Sequence, residues 1–289
     1  MCKNTINKII YISDTRYPKF IGGGEINDYE LLNTLENKKI VIERKLSSEV
    51  TVDFVKKNKN TPFIISNFIL LDERCKEQLQ KSDVKYAVYE HDHKYLTDRN
   101  PAFYKNFIAP KEKIINYEFY EKAVAIFCQS AFHMSIIEKN TNLKNIINLG
   151  GNVWSDYILN KMEEFSKNEK ADSCSIMESR EWHKNTKEAM EYCIYKNYKY
   201  NIIPSMKYED FLEKISKNKT FVFFPKTPET LSRVVVEAKM MGVKVVTNGL
   251  VGATSESWFR KSGVELIQAM RDKKNDIANK VISVFMEKP

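Results

Sequence analysis

Phe221-Val-Phe-Phe-Pro-Lys-Thr-Pro-Glu229-Thr-Leu-Ser-Arg-Val-Val-Val-Glu237-Ala-Lys-Met-Met-Gly242-Val-Lys-Val-Val-Thr247-Asn248-Gly-Leu-Val-Gly252 decides how this chain is read. The apolar run Phe221 to Phe224 has the length of a buried strand and is stopped by Pro225 and Pro228. Leu231, Val234, Val235 and Ala238 then recur at helical spacing, Gly242 ends that helix, and Val243 to Thr247 forms the next strand. This order puts Glu229 at the carboxyl end of a strand, near the start of a helix. Glu237 follows about two turns later, and a rise of about 1.5 Å per residue separates the two carboxylates by roughly 12 Å. A hydrolytic acid/base pair needs roughly 5–10 Å. The wider spacing suits the two hydroxyl-bearing ends of one elongated ligand whose phosphates lie near the helix start. Two glutamates at this spacing also occur in ordinary strand-helix-strand units, so the surrounding pattern carries the reading.

Outward from this segment, strand and helix patterns alternate. Strands are expected at Lys8–Asp14, Phe63–Ser66, Tyr86–Glu90, Ala123–Cys128 and Ile146–Leu149, with helices at about Glu25–Leu35 and Lys111–Tyr120. The second half reads as a polar helix Tyr157–Lys170, strand Ser173–Met177, helix Thr186–Asn197, strand Tyr200–Ile203 and helix Lys207–Lys217. A last helix spans about Lys273 to Glu287. Strands separated by helices imply βαβ units and a mainly parallel sheet.

The Glu229 to Gly252 pattern resembles the E-x7-E region of retaining GT-B glycosyltransferases, including phage-type members. The resemblance implies an α/β fold with two Rossmann-like domains facing a cleft. The expected divisions are an acceptor-side domain at 1–152, a nucleotide-sugar domain at 153–272, and a C-terminal helix at 273–289 that packs back on the first domain. It further implies that Glu229 faces the donor sugar and Glu237 the ribose hydroxyls, with Thr230 and Leu231 also at the donor. Arg180 and Lys184, in Glu178-Ser-Arg-Glu-Trp-His-Lys184, match the arginine and lysine that hold the donor diphosphate, although the glycines usual around them are missing. Gly22-Gly23-Gly24-Glu25, after the first strand, resembles the glycine loop that approaches donor phosphates and acceptor. Physically, glycines let backbone N–H groups approach an oxyanion at a helix N-terminus. One residue at the strand end Glu90-His91-Asp92-His93 is expected to line the cleft, which makes His91 and Asp92 catalytic candidates beside Glu229.

The implied activity is transfer of a sugar from a nucleoside-diphosphate donor to a hydroxyl acceptor with retention. No cofactor beyond that donor and no metal is expected. The pair His91 and His93 lacks a third and fourth ligand, and the five cysteines form no C-x-x-C pair. Cys128 and Cys174 lie in apolar runs and read as core residues. His133 reads as a residue on a helix surface, and His183 carries no pattern.

The length of 289 residues accommodates two domains, and 43% apolar with 29% charged residues is ordinary for a soluble protein. The net charge of +8 suits an anionic partner, whether the nucleotide sugar, DNA or an anionic membrane surface. Only eight of its 46 basic residues are arginine, which argues against base reading by arginine forks. Two acceptors stay open. The aromatic and basic loop Tyr95 to Pro110 suits a hydroxymethylated, phage-type DNA base flipped onto it, and a surface glycan explains the same charge. The rival of another class is a non-catalytic nucleotide or nucleic-acid binding module on the same scaffold. No apolar run of about 18 residues appears and the N-terminus lacks a signal-peptide core. A cytoplasmic location is expected, in the host if the chain is phage-encoded.

Overall fold

The computed structural model describes residues 6–19, 22–81 and 83–286; Cys2 and the end of the expected last helix lie outside these. The chain separates into two compact units, Met1–Val153 with Lys274–Pro289, and Trp154–Lys273.

The first unit is built on six parallel strands in the order β2-β1-β3-β4-β5-β6. They are β1 (Lys8–Ser13), β2 (Val41–Leu46), β3 (Phe63–Ile65), β4 (Tyr86–Tyr89), β5 (Ala125–Cys128) and β6 (Ile146–Asn148). The helices between them are α1 (Gly23–Asn37), α2 (Val52–Lys57), α3 (Glu73–Leu79), α4 (Tyr117–Glu121) and α5 (Ala131–Asn140). Alternation along the strands makes two cores. Ile10 and Ile12 join Phe63, Ile65, Val88 and Ile126 on one face, while Ile9 and Tyr11 join Ile64, Tyr89 and Phe127 on the other. The second face is covered by Leu31, Leu32 and Leu35 of α1 and by Ile277, Ala278 and Val281 near the chain's end. Each fully buried side chain of this size contributes about 1.5–3 kcal/mol.

The second unit has four parallel strands in the order β10-β9-β7-β8. These are β7 (Ala171–Met177), β8 (Tyr200–Ile203), β9 (Asn218–Phe223) and β10 (Lys244–Thr247). Its helices are α6 (Asp156–Ser166), α7 (Thr186–Tyr195), α8 (Tyr208–Ser216), α9 (Arg233–Met240) and α10 (Gly263–Ser283), the last of which contributes to both units. Phe221 and Phe223 enter the core under α8 and α9, and Val222 points to the opposite face with Cys174, Ile176 and Cys193 of the α7 side.

Several expectations need correction. The helix expected over Lys111–Tyr120 is a 3-10 turn at Lys111–Lys113 and a short α4, because Asn116 adopts φ 55 between them. α10 begins at Gly263, ten residues before its expected start. α9 begins only at Arg233, after Ser232 at φ 71, so the helical rise does not span the segment from Glu229. His133 is fully buried, since it shares one face of α5 with Ile136 and Ile137. β2, α2 and α3 were not expected from the sequence.

Candidate functional site

At the carboxyl ends of β7 and β9 in the second unit, two expected residues meet. Lys184 Nζ lies 2.7 Å from Glu229 Oε1, with both side chains partly buried. Each stands on a pinned loop. Glu229 donates its N–H to the Leu250 carbonyl and accepts from the N–H of Gly252, and Leu231 accepts from Ala253 N–H. These bonds carry β9–β10 pairing beyond the strands as a parallel bridge between Glu229 and Val251. Asn248 ties the loops further, donating from Nδ2 to the Pro225 carbonyl at 2.9 Å. The Asn248 to Ala253 stretch is thus the clamp on the Glu229 loop.

The Lys184 loop is held with equal economy. Thr186 Oγ1 donates to the Met177 carbonyl and accepts from Ser179 N–H, and Asn185 Nδ2 donates to the Phe224 carbonyl. The Lys226 N–H donates to the His183 carbonyl, which joins this loop to the one bearing Glu229. Arg180 stands exposed on the same turn. Leu231 is in the core, so what it offers a donor is backbone, and Thr230 stands beside it at the approach to α9.

Glu237 is placed differently from Glu229. It is 2% exposed, and its Oε1 accepts from Trp154 Nε1 at 2.9 Å and Tyr208 OH at 2.6 Å. Arg233, one turn earlier, brings Nε within 3.4 Å of the same oxygen and lays its guanidinium over the Trp154 ring at 4.4 Å. Burial first, then the Glu237 charge, pushes the Tyr208 hydroxyl far above its usual pKa. All three of these contacts fall on Oε1 of Glu237.

In the first unit, the Gly22–Gly24 loop opens α1 with Gly22 as its N-cap. The Glu25 carboxylate folds back beside Gly22, where a Cβ would collide with Oε2, and its Oε1 accepts from Thr15 Oγ1 at 2.8 Å. Gly24 packs on the His91 ring: a Cβ there would sit 3.3 Å from Cγ and Nδ1. His91 itself is held on both nitrogens. Gln129 Nε2 donates to the Glu90 carbonyl and, at 2.8 Å, to His91 Nδ1, so His91 carries its proton on Nε2 and donates to Asp28 Oδ1 at 2.6 Å. Tyr11 OH and Ser66 Oγ complete the Asp28 carboxylate, each at 2.5 Å. Burial opposes a charged imidazolium here, but the Asp28 carboxylate outweighs it and holds the His91 pKa above its ordinary value.

Asp92 belongs to a second cluster. Lys94, wholly buried, lies 2.5 Å from both Glu90 Oε1 and Asp92 Oδ1. Tyr120 OH donates to Glu90 Oε2, and Asp92 N–H to Glu90 Oε1 at 3.0 Å. Burial pushes the Asp92 pKa up, yet Lys94 and further hydrogen bonds bring it well below the usual carboxylate range. Burial raises that of Glu90 despite Lys94. His93 and His133 stack edge to face at 5.1 Å between ring centroids, and burial holds both imidazoles neutral. No group of three or more potential metal ligands occurs among the described residues. Nor does any helix among them have the length and apolarity to cross a membrane.

The structure therefore brings Lys184 to Glu229 and Gly24 to His91, and sets Glu237 in a separate buried network of the second unit. Sequence reasoning missed Asp28, Gln129, Lys94, Trp154 and Tyr208. The signal for Asp28 was a lone acid beside Ile26, Leu31 and Leu32 on the buried face of α1.

No protein-family model matches the chain, and neither does any curated protein sequence. Solved structures do resemble it. HepE of Anabaena, in complex with UDP and glucose, shares 11% identity over 96% of this chain and 91% of its own, with a TM-score of 0.51. A glycosyltransferase from Rickettsia africae shares 12% identity over 96% of this chain and 92% of its own, at 0.52. OtsA in its apo form shares 6% over 96% and 95%, also at 0.52. At such identities the likeness is one of fold: the chain has the GT-B fold, with two Rossmann-like units.

Proposed function

We propose that the chain is a glycosyltransferase that moves a sugar from a nucleoside-diphosphate donor to a hydroxyl acceptor with retention of configuration. The observation that carries this reading is the contact of Lys184 with Glu229 at the carboxyl ends of β7 and β9, where open α/β sheets bind their ligands. A cation and a carboxylate on two rigid loops suit the two charged ends of the reacting group. HepE, which shares the fold, was solved with UDP and glucose, in keeping with such a donor.

In the proposed reaction the bond between the anomeric carbon and the diphosphate oxygen breaks, and the electron pair leaves with the diphosphate. The acceptor oxygen attaches on the same face, and its proton passes to the departing phosphate oxygen. Lys184 turns from Glu229 to the diphosphate and, with Arg180, offsets the charge that develops there. Glu229, released from that contact, accepts hydroxyls of the sugar. Glu237 meets the ribose, and the amides at Thr230 and Leu231 serve the phosphates. In the first unit, His91 on its Asp28 support and Asp92 are the proposed catalytic residues, and Gly22–Gly24 with Glu25 the proposed phosphate or acceptor loop.

The acceptor is a hydroxyl of hydroxymethylated DNA or of a surface glycan, the latter bringing the protein against an anionic membrane. The test is release of nucleoside diphosphate from a panel of UDP-, GDP- and ADP-sugars, with and without hydroxymethylcytosine DNA or oligosaccharides. Stimulated release from one donor identifies donor and acceptor together. Binding of nucleotide with no release under any condition sinks the transferase reading and leaves a binding module.

A further inference from the structure

Trp182 lies in the turn between Arg180 and Lys184, in the 3-10 segment Trp182–Lys184 that follows β7. Its exposure sets it apart. It is 57% exposed, whereas the other two tryptophans, Trp154 and Trp258, are 1% and 6% exposed. An indole left in water forfeits most of the burial that a tryptophan brings to a core. The turn that carries it is nonetheless rigid: bonds from Asn185 to the Phe224 carbonyl, from Thr186 to Met177 and from Lys226 to His183 fix it on both sides. Among the described residues, the ring that pairs with the indole is the edge-on His183 imidazole, at 6.0 Å between centroids. A broad aromatic face is thus displayed on a pinned loop next to the Lys184–Glu229 pair.

We propose that Trp182 is a ligand-stacking residue, whose indole takes the flat face of the bound nucleotide sugar: the nucleobase ring or the C–H face of the sugar. The inference rests on the transferase reading and adds to it the residue that grips the donor's uncharged part. Phosphates engage Arg180 and Lys184 by charge alone, and an adjacent aromatic face supplies the contact that an uncharged ring can use. Preorganisation matters because a fixed indole stacks with little entropy lost on binding. Stacking of this kind changes affinity by about tenfold or more per ring.

Acrylamide quenching of tryptophan fluorescence reads this residue almost alone, since the other two are buried. The protein is titrated with UDP, GDP and ADP and with their glucose conjugates, while calorimetry follows binding, and Trp182→Phe serves to assign the quenchable component. Protection by a nucleoside diphosphate alone shows stacking on the base, and protection only by the conjugate shows stacking on the sugar. Trp182→Ala is expected to weaken binding about tenfold, and Trp182→Phe to recover most of it. Calorimetric binding without protection, and with unchanged affinity in Trp182→Ala, overturns the inference while the transferase reading stands. Absence of calorimetric binding across the whole panel overturns both.

Discussion

Replacing Lys94 by methionine removes the cation from a carboxylate that has no route to solvent. Glu90 and Lys94 are both fully buried and lie 2.5 Å apart, with Tyr120 and the Asp92 amide as the remaining donors to Glu90. Methionine fills similar volume, so the cost comes from charge and not from a cavity. Without Lys94, Glu90 escapes by taking up a proton. From an ordinary carboxyl pKa of 4.5, doing so at pH 7 costs about 3.4 kcal/mol, which matches the 3–5 kcal/mol typical of breaking a buried pair. At pH 5 the same step costs about 0.7 kcal/mol. Urea denaturation of Lys94→Met should therefore show a loss of about 3 kcal/mol at pH 7 that shrinks several-fold at pH 5, and Lys94→Met with Glu90→Gln should recover much of it. A loss under about 1 kcal/mol at pH 7, or one independent of pH, refutes the view that Lys94 neutralises Glu90.

Three further outcomes follow from the same structure. His93, held at a pKa of about 4 by burial, is neutral in the fold, while the unfolded chain takes up its proton near 6.5. Its contribution is thus full above pH 6.5 and is lost as pH falls towards 4, by about 3 kcal/mol; His93→Gln should flatten this acid limb in denaturation curves taken across that range. Gly24→Ala brings a methyl to 3.3 Å from a ring locked by Asp28 and Gln129, and should lower stability by about 1–3 kcal/mol, with relief when combined with His91→Ala; additivity of the two changes in thermal melts would refute the contact. Trp154→Phe deletes the indole donor to the buried Glu237 carboxylate and should cost about 2 kcal/mol in urea titration, and an unchanged midpoint would contradict the proposed anchoring.

The strands were legible because a parallel sheet covered on both faces demands near-continuous apolar runs, as in Ile9 to Ile12 and Phe221 to Phe223. β2 escaped notice because Val41-Ile-Glu-Arg-Lys-Leu46 lies at the sheet's edge and spends its charges on partners such as Glu36, which Arg44 meets at 2.6 Å. The first half of α10 was missed although Leu266, Ile267 and Met270 keep helical spacing and Ser262 with Glu265 has the S-x-x-E pattern of a helix start. At the candidate site, residue types were legible but partnerships were not. Lys184 and Glu229 lie 45 positions apart, and only the topology that sets β9 beside β7 joins them. The run Glu90-His-Asp-His-Lys94 drew attention to its histidines, yet burial makes Lys94 the residue on which its carboxylates depend. For Glu237 the resemblance implied a carboxylate facing the ribose hydroxyls, and the indole that holds it comes from Trp154, 83 positions earlier.

The central claim is tested most directly by sugar transfer in Glu229→Ala beside the unaltered protein, with nucleoside-diphosphate affinity measured by calorimetry in both. The account predicts that the unaltered protein releases nucleoside diphosphate from one nucleotide sugar. In Glu229→Ala that release should fall by about a hundredfold or more while the diphosphate still binds, because Lys184 and Arg180 remain. Transfer at an undiminished rate in Glu229→Ala contradicts the role of Glu229, and failure of the unaltered protein to bind any nucleoside diphosphate contradicts the account as a whole.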